Sequence, residues 1–180
     1  IVGTVSGSSI SFGTAVVFES ASTSSTSITY DSTNDRVVIA YSDFGNSYVG
    51  TAIVGTVSGT SISFGTAVIF ESGASFETSA TYDSTNNKVV IAYYDNGNSN
   101  YGTAIVGTVS GSSISFGTAV VFNSALSQYM SCTYDSTNDR VVIAYNDGGN
   151  SQYATAIVGT VSGTSISFGT AVVFNSADTY

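Results

Sequence analysis

Short apolar runs, rich in β-branched residues, alternate along the chain with clusters of Gly, Asn, Asp, Ser and Thr. In residues 61–70 the apolar side chains fall on alternate positions, which is the period of a β-strand with one buried face. Residues 51–58 and 88–94 are apolar at neighbouring positions too, as in strands that are covered on both faces. No stretch of useful length has the helical period of 3.6. The pattern predicts an all-β fold.

One sequence unit occurs repeatedly along the chain. It begins at Ile1 and returns at Ile53, Ile105 and Ile157, so the period is 52 residues and the fourth copy is incomplete. A period of about 50 residues is typical of a supersecondary unit that buries its faces against neighbouring copies. We therefore expect residues 1–180 to form a single repeat domain.

Each unit is predicted to contain four antiparallel strands. In the second copy these strands cover residues 51–58, 61–70, 78–83 and 88–94. Gly, Asn and Asp cluster between the runs, where hairpin turns need them. Because the strands are apolar on both faces, each four-stranded sheet should lie between two others. The sheets could be arranged radially, or as an open stack in a solenoid or filament.

Two segments of the unit resemble the repeats of β-propeller proteins. TYDSTNDRVVIAY at 29–41 resembles the inner hairpin of a propeller blade, and GTAIVGTVSGSSISFGTAVVF at 102–122 resembles the outer hairpin. VSGSSISF at 5–12 lies where sialidase-like propellers carry an Asp-box turn, although the Asp and the Trp of that motif are absent. The resemblance implies a β-propeller-like array of four-stranded antiparallel blades. An open stack of the same sheets is the alternative.

The number of units bears on how such an array is completed. Three whole units follow an outer hairpin at residues 1–18, whereas closed propellers have about four to eight blades. We therefore expect either a slice of a longer array or a chain that self-associates. The unpaired edge of the hairpin would favour association.

The copies differ mainly in two short segments, residues 21–28 and 42–50 with their equivalents. In an up-and-down meander of four strands, both segments are connections that emerge at the same end of every sheet. The repeated strands then form a scaffold, and the variation is concentrated on one loop face. Loops on a rigid scaffold commonly carry binding residues, although exposed loops also accept neutral substitutions.

Large aromatic side chains within these segments favour recognition over neutral change, since Tyr and Phe supply contact area at low entropic cost. The Asp and Asn that all copies share would form the polar base of each binding site. The residues that vary between copies would surround this base and determine the affinity of each site. The predicted ligand-binding residues are Asp43, Phe44, Asn46, Tyr48, Phe76, Asp95, Asn98, Tyr101, Tyr129, Asp147, Asn150 and Tyr153.

The second segment begins in every copy with Asp-x-Gly-Asn-Ser, led by Asp43, Asp95 or Asp147. Oxygen-rich loops suit calcium, but calcium usually binds several carboxylates and each loop offers one. An Asx turn, in which the Asp side chain accepts loop N–H groups, is the simpler interpretation. Calcium at these three residues therefore stays a weak possibility, and neither a metal nor a cofactor is expected.

Catalytic groups are scarce. The chain has no histidine, which is the most common general base. Cys132 aligns with apolar residues in the other copies and is predicted to be a core residue rather than a nucleophile. Glu19, Glu71 and Glu77 show no context that pairs one acid with one base. We do not expect an enzyme.

The net charge of the chain further limits the kinds of partner that are expected. The net charge is −9 and only three residues are basic, so nucleic acids and anionic membrane surfaces are not expected as partners. The apolar runs are too short for membrane insertion. A surface of hydroxyls and amides is typical of extracellular proteins and virion surfaces. The sequence predicts a non-enzymatic extracellular recognition module, a multivalent lectin or adhesin that binds glycans or a cell-surface receptor. The alternative is a structural repeat of an extracellular filament or phage tail fibre.

Overall fold

The structure, a computed structural model, describes residues 1–178 and contains no α-helix within them. Two 3₁₀ turns occur, at Phe44–Asn46 and Asn96–Asn98. The strands are β1 (Gly3–Ser6), β2 (Ser9–Phe12), β3 (Thr23–Asp31), β4 (Arg36–Asp43), β5 (Val49–Ser58), β6 (Ser61–Phe64), β7 (Val68–Asp83), β8 (Lys88–Asp95), β9 (Tyr101–Ser110), β10 (Ser113–Phe116), β11 (Val120–Asp135), β12 (Arg140–Asp147), β13 (Tyr153–Ser162), β14 (Ser165–Phe168) and β15 (Val172–Asp178).

The strands form one separate hairpin, β1–β2, and one hydrogen-bonded network of 13 strands. The network runs in the order β14-β13-β12-β11-β9-β8-β7-β5-β4-β3, while β6, β10 and β15 pair with β5, β9 and β13. Every pairing is antiparallel. The predicted all-β, antiparallel fold is confirmed. We refer to β3–β6 as unit 1, β7–β10 as unit 2 and β11–β14 as unit 3.

Strand β7 belongs to two units. Its first part pairs with β5 from Val68 to Ala74, and its second part pairs with β8 from Ser75 onward. Strand β11 joins units 2 and 3 in the same way. The network is therefore continuous in hydrogen bonding, although each unit is a separate layer.

The strand predicted at residues 61–70 is wrong in its extent. It stops at Phe64, and the chain resumes as strand at Val68. Gly65 marks the break, because a Cβ at this position would lie 1.9 Å from the carbonyl oxygen of Ser112 in the next unit. So close an approach between backbones leaves no room for a side chain.

The first part of the variable segment, residues 73–77, is strand rather than the predicted loop. Its backbone stays extended because it pairs first with β5 and then with β8. The register shifts between Phe76 and Ser79, and Glu77 has a positive φ of 51°. Tyr129 has the equivalent φ of 52° in β11. The variable segment is a bulged strand, and the bulge bends the chain as it passes between units.

Unit 2 is covered on both faces, as its apolar pattern predicts. On strand β8, Val89 and Ile91 pack against the face of unit 1. Val90 and Ala92, which alternate with them, pack against unit 3. All four are fully buried. This two-sided burial explains why the strand is apolar at successive positions.

A recurring aromatic triplet joins the layers. The ring centroid of Phe70 lies 5.2 Å from that of Tyr93 and 5.8 Å from that of Phe116, in edge-on and tilted geometries. The same arrangement recurs in the other copies as Phe18–Tyr41, Phe18–Phe64, Phe122–Tyr145 and Phe122–Phe168, with centroid distances of 5.2, 6.0, 5.2 and 5.6 Å. Such pairs stabilise packing beyond the area that they bury.

The described residues do not form the closed ring of a propeller. In unit 1, Ile28 and Tyr30 are exposed, whereas their equivalents Ala80 and Tyr82 pack in the core between units 1 and 2. On unit 3, Val158 is exposed as well. Units 1 and 3 therefore do not pack against each other, and the outer face of each unit is left partly exposed.

A glycine close to the aromatic triplet provides a test of this packing. A Cβ on Gly102 would lie 2.5 Å from Cε2 of Phe122, so Gly102→Ala must displace the ring. We expect a loss of about 1–3 kcal/mol in the free energy of unfolding, measured by urea denaturation. Ala154 occupies the equivalent position in the next copy. Ala154→Gly is the matched control and should cost about 0.5–1 kcal/mol. Equal stability of wild type and Gly102→Ala would contradict the packing described.

Candidate recognition face

The two variable segments lie at one end of the units, as the sequence predicts. In unit 1 one constant turn connects Asp31 to Arg36 and the other connects Ser58 to Ser61, and both lie at one end of the sheet. The variable turn closes the pair Asp43–Val49 at the opposite end. Strand β7 crosses from unit 1 to unit 2 beside this turn, since Ala74 pairs with Val49. We refer to this end as the variable end.

Backbone hydrogen bonds connect the two variable segments. The N–H of Ser75 donates to the carbonyl of Tyr48 over 2.9 Å, so the crossover strand is fixed to the turn of the preceding unit. The equivalent bond in the next copy joins Ser127 to Asn100 over 3.3 Å. The variable residues of neighbouring units therefore form one continuous surface.

Each variable turn is closed by its own backbone. In unit 1 the N–H of Tyr48 donates to the carbonyl of Asp43 over 2.7 Å, and units 2 and 3 repeat the bond at 2.9 Å. Ser47 and Tyr48 have positive φ values of 57° and 65°. The equivalents of Tyr48 are Asn100 and Gln152. Asn is favoured at positive φ, whereas a bulky residue there is an outlier.

An aromatic strip crosses the junction of units 1 and 2. The ring centroids of Phe44 and Tyr48 lie 4.4 Å apart, those of Tyr48 and Phe76 5.8 Å, and those of Phe76 and Tyr94 6.0 Å. Phe44 and Tyr48 are 41% and 43% exposed. We call these four residues the aromatic strip. Three of them were predicted as binding residues, and the structure brings all three together.

Tyr94 was missed by the sequence analysis, although a signal was present. Its position lies within the variable segment and reads Ser42, Tyr94 and Asn146 in the three copies. Tyr94 is the last residue but one of β8, so it looked like part of the scaffold. The variation between copies would have identified it.

The remaining predicted residues are spread along the variable end. Asn46, Asn98 and Asn150 are exposed in the turns. Tyr101 and Tyr153 are half-buried at the starts of β9 and β13, where they pair with aspartates of the preceding strand. The structure does not join these two tyrosines to the aromatic strip.

Tyr129 lies apart from the strip, in unit 3. It is 57% exposed and sits at the bulge of β11. Its N–H donates to Oε2 of Glu77, the residue at the equivalent bulge of β7. This hydrogen bond fixes the backbone of Tyr129, while its ring remains exposed to solvent.

The three aspartates of the turns differ in their hydrogen bonds. Oδ1 of Asp147 accepts the N–H of Gly149 over 3.0 Å, which is the expected Asx turn. In unit 2 the backbone N–H groups of Asn98 and Gly97 donate to the Asp95 carboxylate. Oδ1 of Asp43 is buried and finds no hydrogen-bond partner within residues 1–178. The Asx turn therefore explains the aspartates of units 2 and 3 and not Asp43.

A polar cluster lies beneath each turn. In unit 3, Nδ2 of Asn123 donates to Oδ1 of Asp147 over 2.9 Å and to Oγ of Ser127 over 3.0 Å. In unit 2 the equivalent of Asn123 is Glu71, which accepts from Gly73 N–H at 2.8 Å and from the Tyr93 hydroxyl at 3.1 Å.

The carboxylates of unit 2 influence each other. Burial, and then the negative charge of Glu71, raise the pKa of Asp95, and hydrogen bonds from the backbone N–H groups of Asn98 and Gly97 offset part of this rise. Within residues 1–178, no group of three or more Asp, Glu, His or Cys side chains is placed to hold a metal ion. The cluster of unit 2 consists of two carboxylates and the hydroxyl groups around them.

The opposite end of the units contains only structural turns. Oδ1 of Asp31 accepts the N–H groups of Thr33 and Asn34, both over 3.0 Å, so the DSTND segment is a hairpin turn closed by an Asx motif. Nε of Arg36 donates to the carbonyl of Gly111 in the next unit over 3.0 Å. The arginine connects neighbouring turns.

Comparisons of the chain with protein-family models, curated proteins and solved structures give no match. Within the described residues, no helix has the length and apolar character needed to cross a membrane.

Cys132 lies in a protected environment, and its reactivity tests the local packing. Its thiol donates to the carbonyl of Ser79 over 3.1 Å, and burial raises the pKa of the thiol to about 11. At pH 8 the thiolate fraction should be roughly a hundredfold lower than in the unfolded chain. We expect an aromatic disulfide reagent to react about a hundredfold more slowly with the native chain than with the denatured chain, after correction with free cysteine. Equal rates would show that the thiol is accessible and ionised as in solution.

Proposed function

We propose that this chain is a non-enzymatic extracellular recognition module that binds glycans through its variable end. The aromatic strip of Phe44, Tyr48, Phe76 and Tyr94 is the observation that carries the proposal. Sugar rings have apolar faces that stack on aromatic side chains, and their hydroxyl groups need amide and carboxylate partners. The exposed Asn46 lies in the same turn as Phe44 and supplies such an amide.

The backbone of the turn argues against neutral change at Tyr48. Its φ of 65° lies in the left-handed region, where a bulky residue costs about 1–2 kcal/mol. The next copy has Asn100 at this position, which fits the conformation better. A tyrosine that is both unfavourable for the turn and exposed is easier to explain by a role in binding than by stability.

The junction of units 2 and 3 is different, so the proposal is one composite site in each chain. There Nδ2 of Asn96 donates to Oδ1 of Asn100 over 2.9 Å, and Gln128 replaces Phe76. No run of aromatic rings crosses this second junction in the described chain. Multivalent binding would then come from association of chains, which raises avidity without new contacts.

A structural role in an extracellular filament or phage tail fibre is the second candidate. Unit-to-unit contacts recur, since the N–H of Ala80 donates to Oγ of Ser27 and the N–H of Cys132 donates to Oγ of Ser79, both over 2.9 Å. Unit 1 leaves Ile28 exposed at the place where such a contact would continue. A further copy could extend the row into a propeller or a filament, whether it comes from the same chain or from another. Localisation outside the cell or on a virion fits both candidates.

The double variant Phe44→Ala with Tyr48→Ala tests recognition. We expect glycan-array binding to fall about 10–100-fold, because two aromatic contacts of roughly 1 kcal/mol or more are removed. Phe12→Ala is the matched control, since Phe12 is an exposed aromatic residue in the separate β1–β2 hairpin. Its glycan binding should equal that of the wild type.

Two outcomes decide against glycan binding by the aromatic strip. If the double variant binds glycans as well as the wild type, the aromatic strip is not the site. If the wild type binds a protein receptor on cells but no glycan, the proposed ligand class is wrong. The variable end then remains the proposed binding surface. Light scattering tests the filament separately, because a stable monomer of 18.4 kDa would contradict self-association.

A further inference from the structure

The polar cluster of unit 2 contains a buried oxygen atom that lacks a partner. Ser75 and Asp95 are 0% and 6% exposed. Oγ of Ser75 finds no hydrogen-bond partner among residues 1–178, whereas the Asp95 carboxylate accepts from the backbone N–H groups of Asn98 and Gly97. A buried polar atom without a partner costs about 1–3 kcal/mol, so each one needs an explanation.

Unit 3 shows which kind of group such a cluster accommodates. The equivalents of the serine hydroxyl and the aspartate carboxylate are Oγ of Ser127 and Oδ1 of Asp147, and both accept hydrogen bonds from the single amide Nδ2 of Asn123. One electropositive group therefore lies between the serine and the aspartate. All buried oxygen atoms that meet there are then satisfied.

In unit 2 this electropositive group is absent, and a negative charge takes its place. Glu71 replaces the asparagine, and an ionised carboxylate has no proton to donate. Its two oxygens accept from Gly73 N–H and the Tyr93 hydroxyl, and these bonds orient it. Glu71, Ser75 and Asp95 are thus the equivalents of three residues that meet at one N–H₂ group in unit 3.

No basic side chain of this protein lies near enough to fill the position. Its three basic residues are Arg36, Lys88 and Arg140. They are the first residues of β4, β8 and β12, whereas Asp95 is the last residue of β8. The whole length of the strand separates them from the cluster. No basic side chain of the protein therefore compensates the charge of the two carboxylates.

We propose that unit 2 binds a calcium ion between Glu71, Asp95 and Ser75, where it would bridge the serine and the aspartate as the Asn123 amide does in unit 3. Carboxylate and hydroxyl oxygens are hard ligands of the kind that calcium prefers, and backbone carbonyls and water complete such shells. With only two carboxylates, the dissociation constant should fall in the 10⁻⁴–10⁻³ M range that is typical of extracellular modules.

The ion would stabilise the variable end. The N–H of Ser75 donates to the carbonyl of Tyr48, and Phe76 of the aromatic strip follows Ser75 in the chain. A cation that joins β7 to the end of β8 holds the crossover strand against the turn of unit 1. The site does not depend on the proposed glycan binding.

The copies differ in their capacity for such an ion. Unit 1 has the carboxylates Glu19 and Asp43, but Thr23 replaces the serine and Asp43 is only half-buried. Unit 3 has the asparagine and needs no cation. The assignment therefore concerns unit 2, and any calcium on unit 1 should bind more weakly.

Titration of the full chain with calcium chloride, after dialysis against a chelator, tests the proposal. We expect calorimetry to show binding with a millimolar or lower dissociation constant, and the melting temperature to rise by about 2–4 °C at saturating calcium. Magnesium chloride at equal ionic strength should shift the melting temperature less, because magnesium demands a stricter geometry. Glu71→Asn copies the residue of unit 3 and should remove one calcium from the isotherm.

Two further variants guard against an effect on folding or on net charge. Asp35→Asn removes one charge at the opposite end, as Asn87 does in the next copy, and should leave calcium binding unchanged. Asn123→Glu recreates the cluster in unit 3 and should add one calcium.

The proposal is overturned by any of three results. The wild type may give no heat and no shift in melting temperature with calcium, in which case a shared proton or a water molecule satisfies the cluster. Glu71→Asn may keep the full isotherm, which would place the ion elsewhere. Asn123→Glu may gain no calcium, which would show that these three side chains are not sufficient.

Discussion

The structure depends on one constraint: each sheet is apolar on both faces, so its side chains are buried only where a neighbouring layer covers them. The aromatic triplets express this constraint in atomic detail. Phe70 lies in the part of β7 that pairs with β5 of unit 1. Its ring contacts Tyr93 and Phe116 of unit 2, and Gly50 has no side chain that would displace it. Buried area of this kind is the main favourable contribution to folding, and no single unit of this size could supply it alone.

The same constraint explains where the sequence is free to vary. Strands and constant turns contact the neighbouring layers along their length, so a substitution there disturbs two units at once. Residues of the variable end are joined by backbone hydrogen bonds, such as that between Ser75 and Tyr48, as well as by side-chain contacts. Backbone bonds persist whatever the side chain. The surface can therefore change its chemistry from one unit to the next without loss of the scaffold.

Much of this architecture was predictable from the sequence, and the exceptions have a physical reason. Alternating and continuous apolar runs identify the strands and their two covered faces, because burial is periodic along the chain. The break at Gly65 was not predictable, since it results from the approach of the Ser112 backbone in another unit. The aromatic strip was found in part from the variable positions. Its fourth ring, Tyr94, lies on a strand, where variation was easily taken for scaffold.

The change from Glu71 to Asn123 between copies looks conservative in the sequence and is not so in the structure. Residues 71 and 75 lie four positions apart on β7, and the pairing of β7 with β8 brings Asp95 beside Ser75. In that setting, an amide donates a hydrogen bond where a carboxylate adds a charge. The turns of units 2 and 3 therefore share the backbone hydrogen bond that closes them but differ in the charge of the groups beneath them. Variation at this end includes the groups beneath the surface as well as those that face solvent.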